Sequence, residues 1–125
     1  MKRRFRLTKS SEFERVRRTG KSYAHPLIVL IAQSTPEQAT RVGVSAGRSI
    51  GNAAERNRAK RRMRAAIQPL LADLLPGWDL ILIARRPILE ADYSQVQAAL
   101  LQLLQRSSLL NSTNDHNHLA ERERI

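Results

Sequence analysis

Gly47-Arg48-Ser49-Ile50-Gly51-Asn52-Ala53-Ala54-Glu55-Arg56-Asn57-Arg58-Ala59-Lys60-Arg61-Arg62-Met63-Arg64 is the stretch on which the reading of this chain turns. Asn52, with Glu55 three residues on, has the spacing of a capping box, so a helix starts behind a glycine-bounded turn. Gly47 and Gly51 permit a sharp bend and close approach of a ligand to the backbone. The exposed N–H groups at such a helix start suit phosphate. Met63, Ile67, Leu70 and Leu74 recur at helical spacing and predict a core-facing stripe. Pro69 is expected to kink or end the helix near Ile67.

The rest of this helix is basic. Arg58, Arg61 and Arg62 project away from the stripe, while Arg56, Lys60 and Arg64 run along its flank; Glu55 is the only acid of the stretch. A merely solvated helix is the plain alternative, but such helices mix signs to gain i,i+4 pairs. Here Arg56/Lys60, Lys60/Arg64 and Arg58/Arg62 repel instead. A polyanion relieves that repulsion, and nucleic acid is the partner the pattern favours.

The totals agree. The 125 residues carry a formal net charge of +11 and suffice for one domain. Residues 1–86 hold 19 Lys/Arg against 6 Asp/Glu, and residues 87–125 hold 3 against 5, so the basic surface ends before the last helix. With no cysteine there is neither a disulfide nor a thiolate metal site. The longest apolar run, Leu27 to Ala32, is too short for a bilayer, and the basic N-terminus lacks a signal-peptide core. A cytoplasmic protein without a membrane partner or an obligate protein partner is expected.

Before the basic helix, residues 1–9 read as a disordered cationic arm. A short helix follows, capped by Ser10 or by Ser11 with Glu14, burying Phe13 and Val16 and stopping at Gly20. Leu27–Ala32 and Arg41–Ala46 read as antiparallel strands, the second with a small-residue face of Gly43 and Ser45. After Pro76-Gly77, Asp79–Ala84 is the most apolar strand and a central one. Asp92 and Gln95 open a last helix with Tyr93, Val96, Leu100, Leu103 and Leu104 inward. Residues 1–106 thus form one α+β domain, a two-layer sandwich ordered helix–strands–helix–strand–helix. Its sheet has three to four mostly antiparallel strands and one parallel strand–helix–strand crossover. Residues 107–125 read as a polar, disordered tail.

Chemistry intrinsic to the protein is hard to assemble from these residues. The acids are scattered, Asp73 and Asp79 lack a third partner, and His116 and His118 fall in the tail, where solvated residues are the simpler reading. No phosphate-binding or dinucleotide fingerprint occurs. No catalytic residue and no protein-bound metal are expected.

Ser49-Ile50-Gly51-Asn52-Ala53-Ala54-Glu55-Arg56-Asn57-Arg58-Ala59-Lys60-Arg61-Arg62-Met63-Arg64 resembles the signature of the bacterial ribonuclease P protein family. Arg41–Ser45 and Phe13 with Gly20-Lys21-Ser22 upstream fit as well, as does Ile83-Ala84-Arg85 downstream, so the resemblance covers residues 4 to 106. It implies a protein subunit of the ribonucleoprotein that removes the 5′ leader from precursor tRNA, with the active site and its Mg²⁺ carried by the RNA subunit. By the same resemblance the crossover is left-handed, against the general rule. Arg48, Asn52, Arg56, Asn57, Arg58, Lys60, Arg61, Arg62 and Arg64 become the RNA-binding set. Phe13, Arg17 and Ile31 become the leader-binding set, in a cleft between the first helix and the sheet. Arg17 and Ile31 stand where the family pattern has aromatics, so phosphate contacts are expected to outweigh stacking. The rival readings are a structural RNA-binding protein without a role in tRNA processing, a DNA-binding regulator, and a protein nuclease.

Overall fold

The structure is a computed structural model that describes residues 5–36 and 39–110. In chain order the elements are α1 (Ser10–Thr19), β1 (Lys21–Ala24), β2 (Ile28–Ser34), β3 (Arg41–Ser45), α2 (Ala53–Ile67), β4 (Trp78–Ala84) and α3 (Tyr93–Arg106), with 3-10 turns at Arg48–Ile50, Gln68–Asp73 and Arg86–Glu90. The α+β class and the parallel β3–α2–β4 crossover are as the sequence predicts. One sheet runs β1-β2-β4-β3, antiparallel except for the β3–β4 pair.

β4 is central because its residues are apolar on both faces. Its even positions Leu80, Leu82 and Ala84 lie on the side of α2 and α3, in one core with Leu30, Val42, Met63, Ile67, Leu100 and Leu103. Its odd position Ile81 faces α1 with Ile31, Val16 and Leu7. β3 runs antiparallel to β2 as expected, yet it does not touch it: β4 inserts between them. Thr40 stitches that insertion, its hydroxyl donating to the Leu75 carbonyl and accepting from the Trp78 amide at 3.2 Å. Pro69 ends α2 at Ile67, and the chain continues as the 3-10 turn Gln68–Asp73.

Several expectations are corrected. β1 is an edge strand that composition does not announce, with three of its four residues exposed. The Ser11–Glu14 box does not form. Lys9 is the N-cap without a side-chain bond, because Leu7 is anchored on β3 through its amide and the Val42 carbonyl (3.0 Å), and that tie sets where α1 begins. Arg6 pairs with Val42 as well, so part of the arm is folded. At the other end Leu109 and Leu110 are buried, and the Leu75 amide bonds to the Leu109 carbonyl at 2.8 Å. The packed chain therefore runs past residue 106; the remainder of the expected tail lies outside the described residues. Tyr93 is not inward but 52% exposed, since Ile88 and Ala91 already fill the core there.

Asp79 is the largest departure. The sequence places it at a strand end with no third carboxylate for catalysis and gives it no structural role; it is wholly buried and pairs with both Arg15 and Arg41. Arg41 binds it through Nε at 3.1 Å and Nη2 at 3.0 Å, and also reaches Glu12 at 2.7 Å; Gln33 joins through Arg15. Hydrogen bonding to Asp79 raises the Arg41 pKa above its ordinary value, outweighing desolvation. This cluster locks α1 to β2, β3 and β4 at one end of the sheet. Asp79→Ala strands two guanidiniums that keep partial solvent access, so urea unfolding should show a loss of about 3 kcal/mol, the low end of the range for breaking a buried pair.

Candidate nucleic-acid interface

α2 starts where its capping box requires. The Asn52 side chain accepts from the Glu55 amide at 2.9 Å, and the Glu55 carboxylate accepts from the Asn52 amide at 3.0 Å. Gly51 is at φ 140°, a conformation that β-carbon-bearing residues avoid, and its carbonyl accepts from Arg56 Nη1 at 3.1 Å. Ala59, Met63, Ala66 and Ile67 are buried. Burying such side chains contributes on the order of 1.5–3 kcal/mol for the larger ones and holds the helix rigid.

The predicted RNA-binding residues then divide. Arg48, Asn57, Arg58 and Arg61 are exposed; Arg56 and Lys60 are half-buried. Asn52 is also exposed, but its side-chain oxygen is occupied by the cap. Arg62 folds back: its Nη1 donates to the carbonyls of Ile88 (3.2 Å), Leu89 (3.3 Å) and Ala91, tying α2 to the turn Arg86–Glu90. Arg64 lies on the opposite flank, where burial lowers its pKa and the charge of Arg6 adds to the effect. Among the described residues the ion pairs are Arg15–Asp79, Arg41–Asp79, Arg41–Glu12 and Arg18–Glu14. None involves α2, so its six cations are unneutralised.

The leader-binding set meets the structure unevenly. Phe13 lies on Gly43, where any β-carbon would overlap the ring. The glycine of the small-residue face is thus a socket for this aromatic. Arg17 is exposed and donates to Ser45 Oγ at 3.0 Å. Ile31 is a core residue rather than a cleft surface: it is 8% exposed and packs with Val16 and Ile81 under α1. Register explains what replaces it. The next row on the same face holds Ser45, Ile83 and Val29, one row further along the strands from the Asp79 cluster. Val29 and Ile83 are half-buried and pack against Phe13's cluster, so they form the accessible floor. Sequence reasoning missed both; alternation along β2 and β4 carried the signal. Arg64, Arg6 and Phe13, with Leu7 and Val42–Val44, line one hollow of about 150 Å³ at the β3 edge, so the basic flank of α2 meets the α1 side of the sheet at Phe13.

The acids have structural work. Asp79 and Glu12 hold α1, while Glu55 and Asp92 cap α2 and α3. Among the described residues no three His, Asp or Glu side chains converge as metal ligands. His116 and His118 lie outside the described residues. No described helix is long and apolar enough to cross a membrane. Replacing Arg62 by Ala should cost about 2 kcal/mol in a urea melt, through charged hydrogen bonds lost, whereas exposed Arg58→Ala should change stability by less than about 0.5 kcal/mol.

A family profile described as Ribonuclease P matches residues 1–108. The Ribonuclease P protein component of Chloroflexus aggregans is 38% identical over 113 residues, covering 90% of this chain and 84% of that protein. That of Geobacillus kaustophilus is 35% identical over 121 residues, 96% of this chain and all of the relative. Among solved structures, the Staphylococcus aureus RNase P protein superposes with a TM-score of 0.77 at 29% identity, covering 86% of this chain and 98% of that one. The RNase P protein from Thermotoga maritima gives 0.72 at 28% identity, covering 81% and 96%. The chain belongs to the ribonuclease P protein family.

Proposed function

We propose that this chain binds the RNA subunit of ribonuclease P through α2 and holds the 5′ leader of precursor tRNA in the cleft between α1 and the sheet, acting in the cytoplasm. The observation that carries the reading is the segregation of charge. Every ion-paired cation among the described residues lies on α1 or β3, and the cations of α2 other than Arg62 face outward or into the cleft without an acid.

Such a surface fits a phosphate backbone, and the family supplies which one. Arg56, Arg58, Lys60 and Arg61 bind the large RNA, and Arg48 lies in the approach turn. Phe13 offers a ring, Val29 and Ile83 an apolar floor, and Arg17 a cation for a leader nucleotide. By placing cations between two polyanions, the protein offsets their repulsion as substrate docks. Bond cleavage and its Mg²⁺ are assigned to the RNA; the described residues do not fit a metal. The protein contributes affinity and position.

Adding the chain to a bacterial ribonuclease P RNA at low Mg²⁺ should restore precursor cleavage, and no rescue refutes the proposal. With about six phosphate contacts, affinity for the RNA should fall roughly a thousandfold between 50 and 200 mM salt. Arg17→Ala should weaken holoenzyme binding of leader-bearing precursor more than of mature tRNA; an equal loss removes Arg17 from the leader site.

A further inference from the structure

Tyr93 is the one large hydrophobic side chain that stands exposed among the described residues. Its hydroxyl is not loose. It donates to the Ala65 carbonyl at 3.4 Å and accepts from Gln97 at 3.3 Å, so the ring is pinned at its hydroxyl with its surface open. The ring borders a hollow of about 420 Å³ between α2 and the start of α3, with Ala65 and Val96 as apolar lining and Arg58 and Arg61 on the rim. Arg62 also lines it, but its guanidinium is engaged by three carbonyls, which leaves the stem as wall. Asp92 is the only acid of the lining, and its carboxylate caps the Gln95 amide.

An apolar protein side chain entering here would bring nothing to answer Arg58 and Arg61. A nucleotide brings both parts: a π-face for the ring and a phosphate for the cations. We propose that this hollow receives one unstacked nucleotide of the ribonuclease P RNA, its base lying on Tyr93 and its phosphate against Arg58 and Arg61. The site is on the α2–α3 side of the sheet, away from the α1 cleft, and it rests on the RNA-binding reading above. It adds a stacking contact to a surface otherwise described by charge alone.

The test is filter binding of the full chain to ribonuclease P RNA across a salt series. Tyr93→Leu should weaken binding about tenfold, in the range of one lost base stack, with the salt slope unchanged. Tyr93→Phe should stay within about twofold of the parent, because the ring remains. Arg58→Ala should instead lower the slope by about one. Leu at parental affinity beside a weakened Arg58→Ala overturns the stacking site and leaves RNA binding intact; a parent chain without affinity overturns both. Should Tyr93→Leu fail to fold by circular dichroism, Tyr93→Trp decides. Its added emission, measured against the Trp78 background of the parent, should be quenched on complex formation, and unchanged emission in a formed complex overturns the proposal.

Discussion

A carboxylate with no solvent contact, Asp79, sets the geometry on which the α1 side of this protein depends. Alone it would be intolerable in the interior; flanked by two guanidiniums it becomes a joint between elements far apart in the chain. Arg15 comes from α1, Arg41 from β3, and Glu12 and Gln33 close the outer positions. Because the joint is at one end of the sheet, α1 lies across the strands there, from Glu12 beside Arg41 of β3 to Thr19 beside Gln33 of β2. Phe13 then settles on Gly43 and Arg17 reaches Ser45, while the Val29–Ile83 row stays accessible.

The same economy of acids shapes the charge on the surface. Asp79 and Glu12 are engaged in the lock, and Glu55 and Asp92 in helix caps, so none of the four quenches α2. Arg64 shows the effect most sharply: partly desolvated, beside Arg6, and with its Nε buried without a hydrogen-bond partner in the described protein, it is in a poor environment for a cation. An anion beside this guanidinium would improve that environment.

Most local signals were legible, the Ser11–Glu14 box excepted, and long-range ones were not. The capping boxes at Asn52 and Asp92, the stop at Pro69 and the apolar run of β4 are all decided within a turn or a strand, and each forms as read. β1 escaped because its four residues carry no alternation and are held only by pairing with β2. The Asp79 lock spans 38 and 64 residues, a distance over which a single sequence gives no hint of contact. Tyr93 was misplaced for a related reason: helical phase put it on the seam with Val96 and Leu100, but where the seam ends depends on Ile88 and Ala91, supplied by another element. Of the candidate site, the basic helix was readable from charge spacing. Ile31 was carried over by position, and its burial beneath α1 follows from register that only pairing reveals.

Both margins of the sheet are guarded. On one side β1 is short and polar, with Lys21 lying over Tyr23; on the other, Arg6 and Leu7 already occupy the hydrogen-bonding edge of β3 at Val42. Neither border offers a long bare backbone to a newcomer, the usual defence of a β-protein against self-association. Recognition is thereby left to side chains rather than to strand pairing.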